Sequence, residues 1–483
     1  MRRQQAKAQR RSQASRPAAQ EIEIPLPLRG LFVKAKSAKV SGLYAAELQN
    51  LVSNGVKLVS RPGITWTGSP STVLQRIPHD FGPTPKYIEL HPDQAACGAA
   101  TYARTFSGKA MAATISSNTL LADGHGGPVR FDGSAFSPCD FTAPEGVEIR
   151  RLDGILAHHD RPYLWDSDGA LEFYYGDVGA VTGLLERFPL DRLGNIKGTL
   201  VAMSSLTMDA GHGMNDILAI FTSTGQIITY EGLDPGDAND WRLLGRVQAA
   251  RPLSKRAFAQ VGSDLWMLTP RGLISVGESL RSSTLALVSQ LSQPVADLIA
   301  TMVEEGPADW QLATAEDAST VIINRVRGLT SDQIIWTPES GAWSTATMTC
   351  KAFHNINGNL EATGFDGRLA RRIPGGSSEV QTLIWKSSWF DAGRDVSVTY
   401  IKPTIRAQGP VTVRARVLSD FNDTAADVAE AEQVLTLEPE EDGGGIVTIS
   451  EEIGCDASGS SFQITIEIEA TWAEIIGLRA GLA

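Results

Sequence analysis

The stretch Ile217-Leu218-Ala219-Ile220-Phe221-Thr222-Ser223-Thr224-Gly225-Gln226-Ile227-Ile228-Thr229-Tyr230 decides how this chain is read. Two short runs rich in β-branched and aromatic residues flank a Ser-Thr-Gly turn, in which glycine supplies the positive φ of a tight connection. That is a β-hairpin. The layout recurs. Tyr163-Leu164-Trp165 leads through Ser167-Asp168-Gly169 to Leu171-Glu172-Phe173-Tyr174-Tyr175, and Leu265-Trp266-Met267-Leu268 through Pro270-Arg271-Gly272 to Leu273-Ile274-Ser275-Val276. Gln333-Ile334-Ile335-Trp336 turns at Ser340-Gly341 into Ala342-Trp343, and Leu360-Glu361-Ala362-Thr363-Gly364 turns at Asp366-Gly367 into Arg368-Leu369-Ala370. The turn glycines are 56, 47, 69 and 26 residues apart, an irregular series around the roughly 40- to 50-residue blade of a β-propeller. Hairpins at this spacing would leave many sheet edges open in other all-β folds, whereas a propeller keeps each edge short. The reading is all-β: a β-propeller with a C-terminal antiparallel β-sandwich and a small helical insert.

Working outward, residues 1–24 form a mobile basic arm, 25–380 the propeller with its helical insert at about 279–303, and 381–483 the sandwich. The arm carries Arg2, Arg3, Lys7, Arg10, Arg11 and Arg16 with no acid among its first sixteen residues, and no periodic apolar positions that would offset the entropy of ordering. Tyr44, Leu48 and Leu51 recur at helical spacing before Asn54-Gly55, predicting a helix over 43–51. Val56 to Gly63 then reads as a strand running into a turn. Leu287, Leu291, Val295, Leu298, Ile299 and Met302, broken at Pro294, predict the inserted helices. Pro374-Gly375-Gly376 marks the junction to strands at 396–401, 411–417 and 462–470, whose alternation predicts sheets with one wet face.

Composition bounds the function. The 483 residues are 42% hydrophobic, enough for two or three cores, and the net charge is −12, so a broad phosphate-binding face is excluded while a basic arm could touch an acidic partner. The arm lacks an apolar core region, so export by a signal peptide is not expected, and no apolar run is long enough for a membrane span. Cys97, Cys139, Cys350 and Cys455 are too dispersed for a metal knuckle and read as buried thiols of a reducing compartment.

No catalytic constellation emerges. His158-His159 point to opposite strand faces and cannot share a metal without a bend. Gly124-His125-Gly126-Gly127 is followed by Pro128 and a strand rather than the helix a nucleotide loop needs. Asp166-Ser167-Asp168-Gly169 opens like a calcium loop, but Ala170, Leu171 and Phe173 follow where oxygens are wanted. Asp209, His212 and Asp216 lack a nucleophile. Glu304-Glu305, Asp309 and Glu316-Asp317 are carboxylate pairs of the kind glycoside hydrolysis uses, and Glu438 to Gly445 is an acidic, solvated loop.

Residues 217–278 carry a recognisable order: the strand and S-x-G turn, Tyr230-Glu231-Gly232, Asp234-Pro235 near Trp241, Arg251-Pro252, Gly262-Ser263-Asp264-Leu265 with Leu268-Thr269, and Gly272-Leu273. It resembles the tail nozzle or needle-hub (tail tube B-like) proteins of short-tailed, podovirus-type bacteriophages, which are built on a β-propeller. Asn50 before Arg61-Pro62-Gly63 is similar to that family's opening segment. Tyr400-Ile401-Lys402-Pro403, Gly409 to Val413 and Trp472 to Leu478 are similar to its closing sandwich. The resemblance implies a structural virion protein of the tail, made in the bacterial host cytoplasm, with no enzymatic activity, cofactor, metal or catalytic residue. Its partners would be further copies in a six-fold ring, the portal-adaptor protein, tail fibre or needle proteins, and genomic DNA passing without sequence-specific binding, with no membrane span. The basic arm at Arg2 to Arg16 would contact the adaptor or a neighbouring copy, and loops such as 123–128 or 438–445 would close the bore. The insert at 279–303 has no counterpart in that family. The competing readings are a propeller enzyme acting on glycans, which needs a pocket of convergent carboxylates, and a monomeric protein-binding propeller.

Overall fold

The structure, a computed structural model, describes residues 20–34, 40–82, 84–209, 214–281, 291–314, 320–356, 359–373, 380–408, 411–422, 424, 428, 431–437 and 446–483. It divides into two compact units: residues 66–334 with 348–372, and residues up to 65 with 335–347 and 373–483.

The first unit is the β-propeller. Four four-stranded antiparallel sheets follow one another along the chain, spanning 75–103, 111–138, 154–189 and 200–248; a three-stranded one spans 258–275. A further four-stranded sheet joins Cys350–Ile356, Asn359–Gly364 and Leu369–Ile373 to Gly63–Thr67 from the far end of the chain. Such a closure ties the last blade to the start of the ring. There Thr67 Oγ1 donates to the Leu369 carbonyl at 3.1 Å, and Arg368 lies over the Trp66 ring. Between the fifth and sixth of these separate blades stand Asp309–Thr314 and Val321–Arg327, with Asp309–Thr314 packed against both Phe258–Val261 and Cys350–Ile356.

Apolar surface is buried between neighbouring blades rather than within one. Ile88, Leu90 and Phe106 pack on Leu121 and Phe131; Leu120 and Ile115 on Ile155 and Leu164; Trp165 and Phe173 on Leu218 and Ile228; Phe221 and Ile227 on Leu265 and Met267. A blade's strands are therefore buried on both faces, which is why 161–165 and 226–230 read as near-continuous apolar runs. The predicted hairpins form, with Tyr163 opposite Tyr175, Ile220 opposite Ile228, Met267 opposite Ile274 and Thr363 opposite Leu369. Gly225, Gly272, Gly341 and Gly367 have the expected positive φ. Gly169 does not; its turn is held instead by Asp166, whose carboxylate accepts from the Asp168 amide at 3.1 Å. The insert contains helices Val276–Arg281 and Ala296–Glu304, the first beginning directly after the last strand of the three-stranded blade.

The second unit carries the C-terminal sandwich strands. Phe390–Gln408 and Ile453–Ala470 are 19 and 18 residues long and change partners along their length. Ile453–Ala470 pairs with Phe390–Gln408 through its first half, then with Val411–Ser419 and Gln381–Ser387 through its second. On Val411–Ser419, Val413, Ala415 and Val417 are buried, while the alternate face carries Arg414 and Arg416, with Arg414 bonded to Glu467 at 3.0 Å and to Glu469 at 2.7 Å. The expected wet face is a ladder of opposite charges.

Three expectations are corrected here. The helix at 43–51 is two strands, Ala45–Gln49 and Leu51–Ser53. A bulge between Ala45 and Glu47 lets Ala45 and Leu48, three apart, both face inward, which imitates helical spacing. The arm does not reach 24: Gln20–Ile24 is a strand paired antiparallel with Leu478–Leu482. The propeller does not span 25–380: its first strand is Gly63–Thr67, and the residues before Gly63, 335–347 and those after Ile373 belong to the other unit.

Candidate functional site at one mouth of the propeller

In a propeller the first strand of each blade lines the axis, so the residues that lead into these strands gather at one mouth. Lys109 precedes Met111–Ile115, Asp153 precedes Gly154–His158, Lys255 and Arg256 precede Phe258–Val261, Asp309 opens Asp309–Thr314, and Lys351 follows Cys350. Two of their contacts reach past neighbouring blades, Lys255–Asp153 past one and Lys109–Asp309 past two. Lys255 Nζ donates to the Asp153 carboxylate at 2.7 Å and to its carbonyl at 2.9 Å, and Lys109 approaches Asp309 at 3.4 Å. Side chains thus bridge the bore at this mouth.

They enclose a cavity of about 630 Å³ lined by Lys109, Lys255, Arg256, Arg327, Lys351 and Asp309, among others. Arg256 and Lys109 share the Asp309 carboxylate, and Arg327 meets Glu305 at 2.8 Å. Among the described residues the Lys351 ammonium has no ion pair or hydrogen bond. Burial lowers its pKa, the charges of Arg256 and Lys109 add to that effect, and Asp309 opposes it. Arg256 Nε is buried without a hydrogen-bond partner. Behind the cavity His354 bonds Thr363 Oγ1 at 2.8 Å, and burial pushes its pKa down to about 3, with Arg256 and Arg76 contributing. Chemically the arrangement is a cationic pocket with an unspent ammonium at Lys351. Sequence reading singled out Asp309 but not the cations around it, because Lys109, Lys255, Arg256, Arg327 and Lys351 span 243 positions of chain.

The residues singled out from the sequence do not converge. Contrary to the expectation of opposite faces, the bend at His159 (φ +51°) brings its ring to 4.2 Å from that of His158, but His158 Nδ1 is 2.9 Å from Ser205 Oγ and no further His, Cys, Asp or Glu joins them to hold a metal among the described residues. The Gly124–Gly127 loop wraps Arg104, which pairs with Asp123 at 2.6 Å and reaches the Gly127 carbonyl. In the Asp166–Gly169 turn, Arg151 neutralises Asp166 at 3.1 Å. Glu305 binds Arg325 and Arg327, and Asp309 binds Arg256 and Lys109, so these acids are engaged by cations rather than facing each other. Arg2, Arg3, Lys7, Arg10, Arg11 and Arg16, His212, Glu316-Asp317 and the 438–445 loop lie outside the described residues. No group of three or more His, Cys, Asp or Glu positioned to hold a metal occurs among the described residues, and no described helix is long and apolar enough to cross a membrane.

The order of motifs at 217–278 acquires a physical basis. Trp241 stacks on Tyr230 at 5.2 Å, and the Asp240 carboxylate accepts from the Leu233 amide at 2.5 Å and the Asp234 amide at 2.8 Å. Asp264 accepts from the Gly277 amide at 2.9 Å, and Thr269 Oγ1 donates to the Gly272 carbonyl at 2.7 Å.

No family model and no curated protein matches the chain. Among solved structures it is similar to the β-propeller domain of Cps50 (Swd1) of Myceliophteria thermophila, at 12% identity and TM-score 0.42, covering 64% of this chain and 99% of that one. It is also similar to Sqt1 of Saccharomyces cerevisiae, at 10% identity and TM-score 0.35 over 65% and 99% of the two chains. Raptor of Chaetomium thermophilum gives 10% and 0.39 over 65% and 30%. At these values the likenesses carry no argument about function. The class is that of a β-propeller protein with a second, long-stranded β unit.

Proposed function

We propose that the chain is a structural subunit of a bacteriophage tail, of the nozzle or needle-hub kind, which closes into a ring with further copies below the portal-adaptor complex and forms a gated channel for DNA ejection. One observation carries this reading. The segments through which the chain resembles that family at its two ends, more than 330 residues apart in sequence, meet in one sheet. Leu58 and Val59 pair with Ile475 and Glu474, and the strand that contains them pairs Leu478 with Pro403 and Arg479 with Lys402. Asn50 and Arg61, the marks of the opening segment, are bonded to each other at 2.8 Å.

The charge supports the same reading, since a net −12 repels phosphates and lets DNA slide without sticking. Because side chains bridge the propeller's own bore around a cavity of about 630 Å³, the channel lies between copies rather than within one. The test is mass measurement of the purified protein alone and with portal-adaptor complex. A closed ring, formed alone or on the adaptor, is the expected result. Stable monomers indifferent to the adaptor would refute the proposal.

A further inference from the structure

The mouth cavity holds more positive charge than its acids neutralise. Five cations line it: Lys109, Lys255, Arg256, Arg327 and Lys351. Three carboxylates answer them, Asp309 to Arg256 and Lys109, Asp153 to Lys255, and Glu305 to Arg327. Two positive charges are therefore in excess before counting that Glu305 also serves Arg325. Lys351, half-buried and unpartnered among the described residues, sits at the centre of this imbalance. A desolvated charge facing like charges is costly unless a counter-ion completes it. Arg256 adds a second, largely buried cation whose guanidinium spends only one nitrogen on the Asp309 carboxylate.

We infer that the propeller mouth is a binding site for a phosphate-type oxyanion, a dianion seated between Lys351, Arg256 and Lys109. The excess of two charges matches a dianion better than a lone carboxylate. Arginine provides planar donors and lysine a point charge, the combination that recognises phosphate oxygens. A cavity of about 630 Å³ accommodates orthophosphate, pyrophosphate or the phosphate of a small ester. The inference is independent of ring assembly and can fail or succeed without it.

The test is isothermal titration of the full chain with orthophosphate, pyrophosphate and glycerol phosphate, with acetate as the monoanion control. Saturable binding of at least one phosphate species, at least tenfold tighter than acetate, is expected. Preference for orthophosphate or pyrophosphate identifies a free ion as the occupant; preference for glycerol phosphate identifies a phosphorylated small molecule. Lys351→Met removes an unpartnered charge, so the variant keeps its fold, and it weakens binding at least tenfold. Asp309→Asn removes the competing carboxylate and tightens it. The idea is overturned by no saturable phosphate binding at millimolar concentration, or by a folded Lys351→Met variant that binds as the parent does.

Discussion

Asn50 is the residue whose removal most directly probes the second unit. It lies 2% exposed at φ +55°, between two strands, and its amide is fully used. Nδ2 donates to Thr347 Oγ1 at 3.0 Å and to the Thr382 carbonyl at 2.8 Å; Oδ1 accepts from Arg61 Nε at 2.8 Å and from the Thr347 amide at 3.0 Å. One side chain thus ties its own strand to Arg61, close in sequence, and to two distant stretches at Thr347 and Thr382. Asn50→Ala strands two buried donors and two acceptors. Each such group costs about 1–3 kcal/mol, and since Thr347 Oγ1 can rotate to another partner the sum is smaller than four full penalties, about 4 kcal/mol. Alanine adds about 1 kcal/mol for the left-handed backbone. Asn50→Gly removes the same bonds without that strain and isolates the hydrogen-bond part.

The assay is native-state hydrogen exchange at the amides of Asn50, bonded to the Thr345 carbonyl at 2.8 Å, and of Arg61, bonded to the Asn50 carbonyl at 2.8 Å. A loss of about 4 kcal/mol lowers protection roughly a thousandfold. Less than a tenfold loss in both variants would refute the argument that this amide holds the unit together.

Gly367 has φ +74°, and a Cβ there would collide with the carbonyl oxygen of Ser71 where the ring closes; Gly367→Ala should cost about 3 kcal/mol or more, read as a lower urea midpoint, and an unchanged midpoint would contradict the closure. Burial, with His159 adding, lowers the His158 pKa from 6.5 to about 4, so below pH 6.5 the unfolded chain takes up a proton the folded chain refuses. Stability should therefore fall as pH drops from about 6.5 toward 4, and His158→Gln should flatten that fall in urea titrations at pH 7 and 5; an unaltered slope would remove His158 from the account. Gly154 leaves no room for a methyl beside the Trp165 ring, so Gly154→Ala should overpack the junction between blades by about 1–3 kcal/mol and shift the near-ultraviolet dichroism of that tryptophan.

Much of the fold is legible locally. The hairpins at 163–175, 217–230, 265–276 and 360–370 are set by turn residues and by burial on both faces, and both signals reside within a dozen residues. Where a longer-range event intervenes, local reading fails. The bulge at Ala45–Glu47 exists only because the strand pairs with Gln381–Ser387, and the strand at 20–24 only because Leu478–Leu482 offers an edge. Glu21-Ile22-Glu23-Ile24 alternates as a strand should, but an alternation so short acquires meaning only beside a partner.

Apart from Asp309, the cationic mouth was not legible in the sequence. Lys109, Arg256, Asp309 and Lys351 are ordinary residues in sequence, and they meet because each leads into, or lies near the start of, an axial strand. Chain order alone thus determined the class of the protein, the hairpins and the acidity of its body, since these depend on neighbours within a turn or on totals. Tertiary structure decided which residues share a carboxylate, which lysine is left without one, and which unit the chain's early strands join. Those outcomes depend on distances across a closed ring or a sheet, and such distances are fixed by packing between stretches hundreds of residues apart.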